Sequence, residues 1–217
     1  MKKILFNDRY GLTEAVIEGR KTMTRRMVRW DILEGKKVED IDFAVSTKVL
    51  FDGRQVFFGH DAKGDVIAQC VSGYHVGEEV AVAQRYKDIY PKTDFGLEGS
   101  GYMTESAGWT NKLFVRVDLM PYRIRIIDIR VERLQDISDI DAIREGVYQY
   151  KEPPRFHESD LFSPWPPTVK PYKHDIDNLV YRCSAYYAFS YLIDKVFGDG
   201  TWRRNPWVFA YLFEPIR

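Results

Sequence analysis

The chain has 217 residues, of which 45% are hydrophobic, and its 32 Lys and Arg balance 32 Asp and Glu. The length allows one domain carrying insertions, and zero formal charge excludes a global field drawing the protein onto long duplex nucleic acid. Any nucleic-acid contact must therefore come from a local patch.

Lys3 to Phe6 is a short apolar run and predicts a first strand. Asn7 or Asp8 can cap a following helix in which Leu12, Ala15 and Val16 recur at helical spacing. Gly19 stands where a left-handed helix cap is expected. Lys21 to Val28 reads as a turn into an extended segment. Residues 29–47 are charged and mixed and read as an insertion. Lys48 to Phe58 predicts a hairpin turning at Asp52-Gly53. Asp61 to Gly64 is a second turn before a strand over Val66–Val71, and Val76 to Glu79 turns into a strand over Val80–Ala83. Residues 86–111 are rich in Gly, Ser, Thr and Tyr and read as an irregular insertion. Leu113 to Val117 reads as a strand. Tyr122 to Val131 alternates around isoleucines and predicts a long one. Ser138 starts a short helix with a capping-box pattern, and Gly146 ends it. Residues 147–175 hold six prolines and read as a third insertion. Ile176 to Phe197 is the longest helical pattern, stopped by Gly198 and Gly200, and Trp207 to Phe213 closes the chain as a strand. This order predicts one α+β domain over 1–217, with strands closing a small β-barrel flanked by helices and loop insertions.

Two cysteines, Cys70 and Cys183, with no C-x-x-C pair point to a reducing compartment. The N-terminus lacks the apolar run of a signal peptide, and no stretch of about eighteen apolar residues predicts a membrane span. A cytoplasmic protein is expected. The four histidines show no metal-ligand spacing, so neither metal nor cofactor is expected.

The densest polar signal is Gly19-Arg20-Lys21-Thr22-Met23-Thr24-Arg25-Arg26. Its four cations suit phosphate oxygens, and its Thr hydroxyls suit phosphates or base edges. A partly buried Lys can have a lowered pKa and act as a base. Lys21 and Thr24 share a face only if residues 21–24 form a turn. On composition alone the segment reads equally as a solvated basic edge strand, whose cations discourage aggregation. In the cluster Trp202-Arg203-Arg204-Asn205-Pro206-Trp207, Trp202 is a candidate for stacking a base, and Trp207 reads as core. Glu132, Arg133 and Asp136 read as a solvated turn.

Three segments taken in order carry a resemblance: Ile4-Leu5-Phe6 through Arg26; Arg123 through Ser138 and on to Gly146; and Gly200-Thr201-Trp202 through Asn205-Pro206-Trp207-Val208. They resemble prophage-encoded proteins of the ASCH (activating signal cointegrator homology) family, and more distantly the bacterial acetylcytidine amidohydrolases. Gly19, Lys21, Thr24 and Arg26 match the signature G-x-K-x-x-E/T-x-R. The resemblance implies a PUA-like β-barrel whose cleft holds RNA or a modified nucleoside or nucleotide, with Arg20, Lys21, Thr22, Thr24, Arg25, Arg26 and Trp202 as binding residues. It also implies an alternative, amide hydrolysis on an acylated nucleoside, with Thr24 as nucleophile, Lys21 as its activator and a strand Glu as third member. The matching strand puts Arg125 or an isoleucine at that Glu position. Asp128 is the nearest carboxylate, and Glu79 and Glu132 are further candidates. A third expectation is a phage accessory module that binds a protein through the 147–175 loop.

Overall fold

The computed structural model describes residues 1–97, 101–149, 162–163 and 184–216. The isoleucine-rich alternation becomes the longest strand, β10 (Arg123–Arg133). Ile124, Ile126 and Ile129 are buried while Ile127 is exposed. A bulge between Ile126 and Asp128 accounts for this spacing, because one extra residue resets which side chains face the core. β10 pairs along its length with antiparallel β13 (Trp207–Ile216). β13 pairs on its other side with β2 (Met23–Met27). β10 also pairs with β7 (Glu79–Val82), which runs parallel to β1 (Lys2–Ile4). The five-stranded sheet therefore has the order β1-β7-β10-β13-β2, with β1 and β2 at its edges.

The second sheet is antiparallel, in the order β3-β6-β5-β4. Its strands are β3 (Asp31–Ile32), β4 (Phe43–Val49), β5 (Gln55–His60) and β6 (Val66–Val71). Residues 29–47 thus supply β3 and the first part of β4. The hairpin expected around Asp52-Gly53 joins β4 to β5, and Gly53 has φ +82° as its turn requires. The two sheets meet through edge-on ring pairs, Phe57 with Phe209 and Trp30 with Trp207, each 5.9 Å between centroids. The molecule is α+β, and the described strands do not hydrogen-bond into one closed barrel.

Helices α1 (Leu12–Ile17), α3 (Asp139–Arg144) and α4 (Ala185–Phe197) pack on the five-stranded sheet. Asn7 caps a 3-10 turn at Asp8–Tyr10 rather than α1 itself, which starts after Gly11. Ser138 caps α3 as expected, its hydroxyl accepting from the Asp141 amide. In α4, Ala185, Ala188, Phe189, Leu192 and Ile193 are buried, the spacing of one helical face. Residues 176–183 of the predicted long helix lie outside the described residues. So does most of the proline-rich 147–175 stretch, apart from β11 (Tyr148–Gln149) paired with β12 (Phe162–Ser163).

Residues 86–111 hold α2 (Tyr86–Ile89), the short pair β8 (Gly96–Leu97) and β9 (Gly101–Tyr102), and 3-10 turns. They gather a small core of their own around Tyr86, Leu97, Met103, Val115 and Met120. The strand expected at Leu113–Val117 is absent. Asn111 caps a 3-10 turn at Lys112–Phe114, a second turn follows at Val117–Leu119, and the Arg116 amide donates to the Tyr86 hydroxyl at 2.7 Å. These backbone groups are satisfied locally, and no partner strand is needed. A methyl group on Gly108 would run into the buried Tyr86 ring. Gly108→Ala is therefore expected to destabilise the protein by about 1–3 kcal/mol, seen as a lower urea midpoint.

Candidate functional site

After α1 the chain must reverse, and Gly19 does so in the left-handed region at φ +74°. Three backbone hydrogen bonds then fix the next residues. The Lys21 amide donates to the Ala15 carbonyl, the Thr22 amide to the Arg144 carbonyl, and the Phe213 amide to the Thr22 carbonyl, each at 2.8 Å. β2 begins only at Met23, so Lys21 lies in the turn and escapes the alternation of the strand. Its side chain runs inward and is 2% exposed.

There the Lys21 ammonium donates to the Glu145 carboxylate at 2.6 Å and to the Glu145 carbonyl at 2.7 Å. Glu145 follows α3, and it is 4% exposed. Gly146, at φ +97°, lets the chain pass close to Lys21, where a Cβ would lie 3.4 Å from the Lys21 Cβ. The other Glu145 oxygen accepts from Arg25 at 3.1 Å, and Arg25 is itself 3% exposed. Arg25 also donates to Glu132. Beyond it, Asp141 accepts from Arg130 at 3.0 Å and from Arg144 at 3.1 Å. Register explains the cluster: Arg25, Ala210 and Arg130 lie opposite one another across β2, β13 and β10, so their side chains share one sheet face.

Burial pulls the Lys21 pKa below its ordinary 10.5; the charge and hydrogen bond of Glu145 oppose this and do not restore it. For Asp141, burial pushes upward, but Arg130 and Arg144 outweigh it and hold the carboxyl below 3.8.

Beside this ion cluster is a hollow of about 280 Å³. Phe189, Leu192, Ile193 and Val196 of α4 form one wall, Leu5, Phe6 and Leu12 another, and Lys21, Thr24, Arg25, Arg26, Lys112 and Glu145 supply its polar atoms. β2 is the outer strand of its sheet, so side chains from both of its faces reach the hollow. The Thr24 hydroxyl makes no side-chain hydrogen bond among the described residues.

The chain matches no family model, no curated protein and no solved structure.

Of the residues singled out in the sequence, Lys21, Thr24, Arg25 and Arg26 converge on this hollow. Arg20 turns away, pairing with Glu18 at 2.6 Å and lying over the Tyr148 ring. Thr22 contributes its backbone to the turn and does not line the hollow. Trp202 packs edge-on against Tyr186 and Phe189, part of the core behind α4. Asp128 is exposed, 3.7 Å from Arg130, and does not line the hollow. Glu132, read from sequence as part of a solvated turn, is instead half-buried against Arg25.

Sequence reasoning gave no role to Glu145 or Lys112. Lys112 donates to Asp8 at 2.6 Å and to the Thr13 hydroxyl at 3.1 Å on the rim of the hollow. Both are near their partners only through tertiary packing, although the predicted α3 already placed Glu145 at a helix end beside a glycine. Among the described residues no group of three or more His, Cys, Asp or Glu could hold a metal ion, and no helix is long and apolar enough to cross a membrane. Cys70 is a free, buried thiol whose pKa burial pushes up to about 12, which does not suit a nucleophile; Cys183 lies outside the described residues.

Proposed function

We propose that this is a nucleoside- or RNA-binding protein of the ASCH type, with a PUA-like arrangement of its two sheets, and that the hollow beside Thr24 receives one uncharged nucleoside. The carrying observation is the pairing of the two fully buried cations: Lys21 and Arg25 share Glu145, and Arg25 also holds Glu132. A phosphate placed there would have to displace buried carboxylates, whereas a neutral base meets apolar walls and a few hydrogen-bonding groups, the usual composition of a small-molecule site.

One observation favours a second reading, hydrolysis of an acylated nucleoside: a carboxylate does sit beside Lys21, supplied by Glu145 rather than by a strand residue. In this reading the neutral amine form of Lys21, favoured by burial, takes the Thr24 hydroxyl proton as the oxygen adds to the amide carbon. The tetrahedral adduct collapses as Lys21 returns the proton to the leaving amine. Water then cleaves the Thr24 ester, its hydroxyl going to the acyl carbon and its proton to the Thr24 oxygen, so that the carboxylic acid leaves and ionises in solvent. Glu145 holds Lys21 in place.

Incubation with N4-acetylcytidine, with cytidine followed by chromatography, separates the two readings. Turnover that falls on the order of 10³-fold in Thr24→Ala supports hydrolysis. Calorimetric binding of acetylcytidine without turnover supports binding alone. No binding heat with either cytidine or acetylcytidine removes both.

A further inference from the structure

A second hollow, of about 500 Å³, opens where the two sheets meet, and Leu5 and Arg26 are walls of both. Its electrostatics differ from those of the first. Lys2, Lys3, Arg26 and Arg29 line it, and no carboxylate does. Lys3 donates only to the carbonyls of Leu113 and Val115, at 2.6 and 2.9 Å, and Arg26 to the Leu5 carbonyl at 2.5 Å. Carbonyls satisfy N–H directions but carry no formal charge, so these cations remain uncompensated. Arg29 is exposed and pairs with no described residue. Lys2 pairs with Glu78 at 3.1 Å, the one ion pair made by a cation of this hollow among the described residues. Tyr74 and Tyr211 line the same hollow, their rings edge-on at 5.2 Å, and the Lys2 ammonium lies 5.5 Å from the Tyr74 ring. Lys3, Arg26 and Arg29, without a carboxylate partner among the described residues, stand beside the half-buried Tyr74 ring, which Tyr211, 2% exposed, backs from the core. Such a surface suits a single strand, phosphates meeting the charges and a base the Tyr74 ring.

We infer that this outer cleft holds the phosphodiester backbone of single-stranded RNA, so that the ligand of the inner pocket is one nucleoside within a strand rather than a free nucleoside. The inference rests on the nucleoside reading of the inner pocket. Arg26, shared by both hollows, sits where the strand passes from one to the other.

The test is fluorescence anisotropy with a 5′-labelled single-stranded RNA of about ten nucleotides, across a salt series. Lys2→Ala combined with Arg29→Ala is expected to weaken binding about tenfold or more. It should also flatten the slope of log K against log salt by about 1.4, at roughly 0.7 per lost phosphate contact. Lys36→Ala, a distant cation paired with Asp61, should leave both unchanged. If the double variant fails to melt cooperatively, Arg29→Ala alone, at an exposed position, carries the test with an expected loss of about threefold. RNA affinity and slope unchanged in the variants, or no RNA binding by the unmodified protein, would overturn the inference. Equal weakening for cytidine 5′-monophosphate and for the RNA would also overturn it, assigning the cleft to a mononucleotide phosphate. Cytidine and acetylcytidine calorimetry on the unmodified protein reports separately on the inner pocket, so failure there is distinguishable from failure here.

Discussion

Glu145→Ala is expected to destabilise the protein by about 3–5 kcal/mol, the cost of leaving buried charge without its partner. The effect is large because one carboxylate serves two cations: Lys21 and Arg25 are 2% and 3% exposed and neither can turn to water. A thermal melt should show a Tm lower by on the order of 10 °C. A shift of under 2 °C would show that the pairs are open in solution. Glu145→Gln should fall between, since it keeps hydrogen-bonding atoms but not the charge.

Lys21→Met should behave in the opposite way. The Met side chain fills much of the same volume, and Glu145 keeps Arg25 as a partner. The expected change in stability is about 1 kcal/mol or less, because the desolvation of one buried ion is relieved as its Coulomb attraction is lost. Turnover of acetylcytidine, where the unmodified protein shows it, should fall on the order of 10³-fold. The same substitution carries a pH signature. Burial, against the opposing pull of Glu145, lowers the folded-state pKa of Lys21 below 10.5. Between that lowered pKa and 10.5 the unfolded chain binds more protons than the folded one, so stability rises with pH in this window. Lys21→Met removes that rise, and urea midpoints measured from pH 7 to 10.5 would detect it. An unchanged pH dependence in the variant would mean that Lys21 does not titrate with folding.

The sequence pattern carried what is local. Gly19, Gly53 and Gly146 marked reversals that need positive φ, and Ser138 marked a helix start, because each depends on residues within a few positions. The strands around Val66, Val80 and Ile124 were legible from alternation and composition. The site was half legible. The Lys21–Arg26 segment was visible as a concentration of charge, but its partners were not: Glu145 lies 124 residues from Lys21 and Glu132 lies 107 from Arg25. Nothing within either neighbourhood distinguishes a carboxylate that meets a cation from one that meets water. The inward course of Lys21 was likewise hidden, since hydrogen bonds to the Ala15 and Arg144 carbonyls and from the Phe213 amide decide it. The stretch from Leu113 to Val117 misled because Val115 and Val117 pack against a separate small core, and Leu113 and Phe114 face solvent, instead of joining a sheet.

The extra residue near Ile127 works like a shift of reading frame in the pleat. Upstream of it, even-numbered side chains of β10 point to the core; downstream, odd-numbered ones do, which leaves Arg130 and Glu132 on the side where Arg25 waits. The face that Arg130 and Glu132 present is therefore held by their pairing with Ala210 and Val208 of β13, and the extra residue is absorbed without disturbing it. Replacing Ile127 costs one exposed side chain. Deleting it would leave Ile126 opposite Phe213 and Asp128 opposite Leu212 in an unbroken ladder, so Arg130 and Glu132 would keep the face they share with Arg25.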